Sequence, residues 1–212
     1  IVDGVCDKPE MEKKLKALTC GEDEELNLVS LADMPVKDAP KGDKEIAVVY
    51  AEGEIDGSND EDIISEEMVE TIMDLAEDDD VAAMVLRVNS PGGSAFGSEQ
   101  IWKAVEQFKA SGKKVVVSMG DYAASGGYYI SCGADCIFAQ PTTLTGSIGI
   151  FGMIPCLENL ATDKLGITQN VVSTNANGGF GSALTRMTDQ QRDAMQAMVN
   201  RGYELFTKRC AD

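Results

Sequence analysis

Three apolar runs separated by two helical patterns constrain this chain most: "EIAVVYAEGEI" from Glu45, "VAAMVLRVN" from Val81 and "KVVVSMG" from Lys114. Each is short and rich in β-branched residues, which is strand chemistry. The second and third lack polar alternation, so they suit strands covered on both faces. Between the first two, Ile63, Ile64, Met68, Ile72 and Leu75 recur at helical steps, predicting an amphipathic helix that stops near "EDDD". Between the second and third, "SPGGSAFGSEQIWKAVEQFKASGK" reads as a glycine-rich turn and a helix ending at Gly112. Strand, helix, strand, helix predicts an α/β fold with mostly parallel strands and right-handed crossovers.

Beyond this unit, Ser125 is expected to open a short helix, "CIFAQP" to form a strand closed by Pro141, and "TQNVVST" a later strand after the apolar piece "SIGIFGMI". From Thr188 a helical pattern through Met195, Met198, Val199, Leu205 and Phe206 carries no stop signal, so the chain is expected to end inside a helix. Residues 1–43 differ in character: charge clusters, a proline-containing run and one short helical piece from Met11 to Leu18. They are expected to be the tail of a preceding domain and a linker, with residues 44–212 forming the core domain, truncated at its C-terminal end.

Composition excludes several functions. A net charge of −18 repels polyanions, which argues against nucleic acid as a partner. No apolar run approaches the roughly 18 residues that span a bilayer, so any membrane segment is expected outside this chain. The six cysteines lack doubled CxxC spacing and mostly read as small core residues, and no metal or cofactor is expected. Cys6 and Cys20, in the polar leading segment, are the pair that a disulfide would join if their side chains meet. There is no histidine, which rules out a Ser-His-Asp triad and a Cys-His dyad within these residues.

Two glycine-rich turns, "NSPGGS" and "DYAASGG", follow apolar strands, where ligands of an open α/β sheet collect. They are expected to face one crevice. Gly92 and Gly93 would let backbone N–H groups approach a ligand oxygen, and Ser125 would sit at a helix start, where unpaired N–H groups favour negative charge. The same residues also fit a plain tight turn and an ordinary helix cap, and the turns alone leave both readings open. Arg87, near a strand end, reads as a structural ion-pair residue, and Tyr128 and Tyr129 as packing residues.

Taken together, "LRVNSPGGS", "VVVSMGDYAASGGYYIS" and "TLTGSIGIFG", in this order and spacing, resemble the C-terminal half of the long form of the signal peptide peptidase A family. These are Ser-Lys proteases of the crotonase/ClpP-like fold, with stacked ββα units. The resemblance implies Ser125 as nucleophile, the N–H groups of Gly93 and Gly126 as the oxyanion hole, and Ser147 as a serine that helps hold the catalytic lysine. It also implies that Ala123, Ala124, Gly126 and Gly127 keep the approach to Ser125 clear, and that Gly93→Val lowers the rate far more than the stability. Short members carry their lysine downstream of an "LGI" strand, where this chain reads "VVSTNANGGFGSALTR" with no lysine. That departure resembles the long form, whose N-terminal half supplies the base; within this chain Lys164 is the first alternative.

The expected activity is thus hydrolysis of signal peptides and other apolar peptides, with the isolated chain inactive. The resemblance further implies a homo-oligomer, a tetramer favoured, at the bacterial inner membrane with its protease domain on the extracytoplasmic side. Two other readings stay open: a catalytically idle peptide-binding or assembly module, and a crotonase-type acyl-CoA enzyme.

Overall fold

The computed structural model describes residues 7–20, 25–26 and 42–211. The chain divides into two compact units, Ile1–Lys41 and Gly42–Asp212. In the first, helix α1 (Lys8–Thr19) covers the predicted Met11–Leu18 piece; the Asp7 carboxylate accepts from the Glu10 N–H at 2.9 Å and caps its start. Cys6, and with it the proposed pairing to Cys20, lies outside the described residues, as does most of the expected linker.

The second unit is built on a parallel sheet. Strand β1 (Glu45–Glu52), helix α2 (Ser65–Glu77), strand β2 (Val81–Ser90), helix α3 (Ala95–Ala110) and strand β3 (Lys114–Ala124) follow the predicted alternation. Short helix α4 (Gly126–Ser131) and short strands β4 (Cys136–Phe138) and β5 (Leu144–Gly146) come next, and α5 (Asp189–Ala211) is the last element. The strand order is β1-β2-β3-β4, with β5 also pairing β3 and every pairing parallel. Val117 and Leu86 of the central strands pack with Ile72 of α2 and Ile101, Val105 and Phe108 of α3 in one core, all fully buried.

Two details of this frame aim the chain at the site. First, β2 and β3 pair in register up to Val88 opposite Met119 and then shift, so that Ser90 meets Ala123. The extra residues on β3 form a bulge, and the Asn89 Oδ1 accepts from the N–H groups of Asp121 and Tyr122, each at 3.1 Å. Second, the loop after β1 braces the turn after β2. The Ile55 N–H donates to Gly92 O and the Ser94 N–H to Ile55 O, both at 2.8 Å. Asp56, in that loop, accepts from the Ser65 N–H at 2.8 Å and hydroxyl at 3.0 Å, which supplies α2 with the cap that Ile64 at its N-terminus cannot provide. Burial raises the Asp56 carboxyl, but the bonds from Ser65 and Ser94 outweigh it and hold the group below its ordinary value.

Three expectations are corrected here. "TQNVVST" is not a strand: Val172 is 98% exposed and the run pairs with no strand among the described residues, so its β-branched composition has no ladder to join. Among the described residues Arg87 makes no ion pair; its guanidinium donates to Ser118 Oγ at 3.0 Å and Met119 O at 2.9 Å, tying β2 to β3 by neutral bonds. Ala123 and Ala124 are buried members of β3, so their small size serves packing of the sheet and not access to Ser125.

Candidate active site

The site starts from the end of β3. Tyr122, Ala123 and Ala124 pair with Leu144, Thr145 and Gly146 of β5, and the Ser125 N–H continues this contact by donating to Gly146 O at 2.9 Å. Because the ladder is parallel and in register, the residues after each strand emerge side by side: Ser125 from one and Ser147 from the other. Both serines have positive φ, 51° for Ser125 and 52° for Ser147, a region that non-glycine residues enter rarely and at some cost. Ser125 has ψ of −119° and its side chain makes no cap bond to α4, while its carbonyl accepts the first helical bond from the Tyr129 N–H at 2.9 Å. An ordinary N-cap serine spends its hydroxyl on the helix. This one leaves the hydroxyl available, on a sharp strand-to-helix turn of the kind that presents a nucleophile.

The other glycine-rich turn meets this one directly. A Cβ on Gly92, whose φ is +110°, would lie 2.7 Å from Gly126 N and 2.8 Å from Ser125 Cβ, so only glycine lets the two turns touch. At Gly93, with φ of +147°, a Cβ would strike the backbone oxygen of Ile55. Ile55 bonds the residues on either side of Gly93, as a parallel bridge requires, so the N–H of Gly93 itself points away from Ile55. The N–H of Gly126, first residue of α4, is one of the donors that a helix start leaves without an intrahelical partner.

Gly93, Ser125 and Gly126 line a pocket of about 150 Å³ whose other walls include Ser98, Tyr129 and Phe206. Gly93 and Ser125 also line an adjoining cleft of about 620 Å³ together with Ser147 and Phe151. The two glycine-rich turns thus border one pocket, as expected of them, and Ser147 borders the adjoining cleft. Tyr129 packs as expected, its ring centroid 4.5 Å from that of Phe206, and it also borders the pocket. Its hydroxyl donates to Glu99 Oε2 at 2.6 Å, and Arg209 donates to Glu99 Oε1 at 2.7 Å. Burial and the bond to Glu99 push the Tyr129 phenol well above its ordinary value, so it stays neutral.

Sequence reasoning missed Ser98, Ile150, Phe151 and Phe206 as walls of the site. Phe206 was legible only as one apolar position of a helical pattern; nothing local marks it as a neighbour of Ser125. Among the described residues no lysine lines either concavity. Lys103 faces Glu99, Lys109 bonds Glu106 and Gly133 O, Lys113 bonds Leu75 O and Asp78 O, and Lys114 bonds Asp135. Lys164 is exposed on a π-helical turn at Leu160–Lys164 and lines neither concavity. No described helix is long and apolar enough to cross a membrane.

Residues 107–212 match the profile described as Peptidase family S49, and residues 44–144 match that of Clp protease. The chain is 41% identical over 214 residues to Protease 4 of Haemophilus influenzae, covering 97% of this chain and 34% of that protein. It is 38% identical over 216 residues to Protease 4 of Salmonella typhi, covering 100% of this chain and 35% of that protein. Over 150 residues it is 33% identical to the chloroplastic serine protease SPPA of Arabidopsis thaliana, covering 70% of this chain and 22% of that protein. The chain thus spans about a third of the length of the two Protease 4 relatives. With the parallel sheet and alternating helices, the Clp protease match bears out the expected ClpP-like α/β fold.

Proposed function

The chain belongs to peptidase family S49, and on that premise we propose that it is the serine-bearing part of an endopeptidase, with Ser125 as nucleophile. The observation that carries this reading is the Ser125 turn: a positive-φ serine with no cap bond, facing a concavity that Gly93, Gly126 and Ser147 also border. A neutral lysine amine removes the Ser125 proton and the alkoxide attacks the peptide carbonyl. The N–H groups of Gly93 and Gly126 stabilise the tetrahedral oxyanion, the protonated amine hands its proton to the leaving nitrogen, and water then releases the acyl group.

The base is supplied from outside the described residues, because none of their lysines lines the site. Ser147, beside Ser125 at the end of β5, is suited to accept a bond from that lysine and hold it against the nucleophile. Burial has to lower the amine toward about 7 to 8 for it to act at neutral pH. The substrates are cleaved signal peptides and other apolar peptides, a class that suits the apolar walls Ile150, Phe151 and Phe206. The whole protein is a homo-oligomer, a tetramer, held at the bacterial inner membrane by a segment outside this chain, with the site on the extracytoplasmic side.

That no lysine among the described residues lines the site also favours a second reading, a peptide-binding module without turnover. One experiment separates the two: treat the full-length protein with a serine-reactive phosphonate, locate the adduct, and assay Ser125→Ala on an apolar peptide. An adduct on Ser125 and loss of turnover in the variant support the protease; a full-length protein that binds peptide without labelling supports the idle module. Residues 1–212 alone should show no turnover in a standard assay. Comparable turnover by the isolated chain would return the base to this chain, Lys164 first.

A further inference from the structure

The last turn of α5 is docked by contacts that converge on two cysteines. Phe206 packs against Tyr129, the Arg209 guanidinium lies 3.9 Å from the centroid of the Trp102 ring, and two of its nitrogens bond Glu99. On the facing element, the thiol of Cys132, at the C-terminal cap of α4, bonds Tyr129 O at 3.1 Å and Arg209 O at 3.5 Å. The residue after Arg209 is Cys210, so the bond from the Cys132 thiol to Arg209 O brings the two cysteines next to each other where α5 meets α4. Both are half-buried, whereas Cys136 and Cys156 are exposed. Elsewhere α5 is loosely held: along its length only Gln191 and Phe206 are buried.

We infer that Cys132 and Cys210 are a disulfide site, whose closure fastens α5 to α4 and so fixes the Phe206–Tyr129 wall of the pocket beside Ser125. The inference stands apart from the catalytic reading, since it rests on where α5 docks against α4 and on the two cysteines at that contact. The chemistry is thiol–disulfide exchange with a low-molecular-weight disulfide as oxidant. The Cys210 thiolate attacks one sulfur of that disulfide, forming a mixed disulfide and releasing one small thiol. Cys132 then attacks the Cys210 sulfur, closing the protein disulfide and releasing the second small thiol. Two protein thiols are oxidised, one small disulfide is reduced to two thiols, and the protons pass to the departing thiolates.

The order of attack follows from the surroundings. Burial, with the neighbouring Cys210, pushes the Cys132 thiol up to about 12, while at Cys210 burial raises the thiol and the bond from Cys132 partly offsets it. The Cys132 thiol donates to Tyr129 O and Arg209 O, bonds that hold its proton, so Cys210 attacks first. Because both thiols are raised, closure in the docked protein is slow at neutral pH and speeds up as pH rises. The site suits a lasting clamp made in an oxidising compartment more than a rapid sensor.

The test uses the folded full-length protein incubated with oxidised glutathione at mildly alkaline pH, followed by mass spectrometry of a non-reduced digest. The expected product is a cross-linked peptide joining Cys132 and Cys210, with loss of two titratable thiols, formed equally by Cys136→Ser and by neither Cys132→Ser nor Cys210→Ser. Cys132→Ser should instead stop at a stable glutathione adduct on Cys210. Amide exchange in α5 should slow on oxidation and recover on reduction. Stable glutathione adducts on both cysteines of the wild-type protein, a bond joining another pair, or two unmodified thiols after exhaustive incubation would each overturn the inference.

Discussion

Residues 45–131 and residues 139–188 are both rich in apolar side chains, yet only the first region buries them. In the first, three parallel strands and two helices enclose Met84, Leu86, Ile101, Phe108 and Val117 completely. In the second, Phe151 is 86% exposed, Met153 84% and Val172 98%, and the only buried apolar residue is Ala161. The difference is one of partners. An apolar side chain is removed from water only where its periodicity faces another element, and residues 139–188 hold one three-residue strand and one short helical turn. The site lies along the seam: Gly93, Ser125 and Gly126 come from the first region, Ser147, Ile150 and Phe151 from the second.

That contrast can be broken by substitution. The largest expected effect is on stability in the first region. Phe108→Ala should cost about 3–5 kcal/mol, because it empties a fully buried position where α3 meets the sheet. Chemical denaturation measures it; a cost no larger than that of an exposed residue would mean the core does not close around α3.

Gly93→Val comes next, and the structure revises what its sequence implies. On the oxyanion role proposed for the Gly93 N–H, displacing that donor is expected to lower kcat by about 10²- to 10³-fold. Stability should now fall as well, since Gly93 has φ of +147° and a Cβ there collides with Ile55. Activity and melting temperature of the full-length protein, measured together, test this; a normal melting temperature would show that the brace from Ile55 yields freely.

The contact that docks α5 on the first region should respond to acid. At Glu99 burial raises the carboxyl, but the bonds from Arg209 and Tyr129, with the nearby positive charge, outweigh it and leave the group below its ordinary value of 4.5. A depressed folded value contributes stability that is present above the unfolded value and lost as pH falls through the folded one, so the loss begins below about pH 4.5. Glu99→Gln should flatten this acid limb in urea melts, and an unchanged limb would assign it to other carboxylates. The smallest effect belongs to the second region: Val172→Ser should change stability by no more than about 0.5 kcal/mol, measured by the same melts. A large loss would reveal a partner that covers Val172.

How much of this was legible in advance depended on distance along the chain. The strands β1 to β3 and the helices between them could be read, because the period of apolar residues is a local property that tertiary packing then uses. The far end of β3 was less legible: "GDYAA" resembles a loop, and the bulge held by Asn89 together with the ladder to β5 makes it strand. "TQNVVST" failed in the opposite sense, since strand composition needs a neighbouring strand to bond and the described residues offer none. Ala123 and Ala124 looked like clearance for a ligand and proved to be sheet packing.

The sequence by itself determined the alternation of strands and helices from β1 to α4, the absence of histidine from this chain, and the two turns whose glycines permit close backbone approach. Tertiary structure alone decided that β5 pairs with the end of β3 and brings Ser147 beside Ser125, that Ile55 bonds around Gly93 and turns its N–H outward, and that α5 returns Phe206 and Cys210 to α4. The physical reason is the same in each case. Periodicity and turn chemistry act within a few residues, whereas these contacts join segments far apart in the chain, chosen by strand register and shared burial that no local pattern encodes.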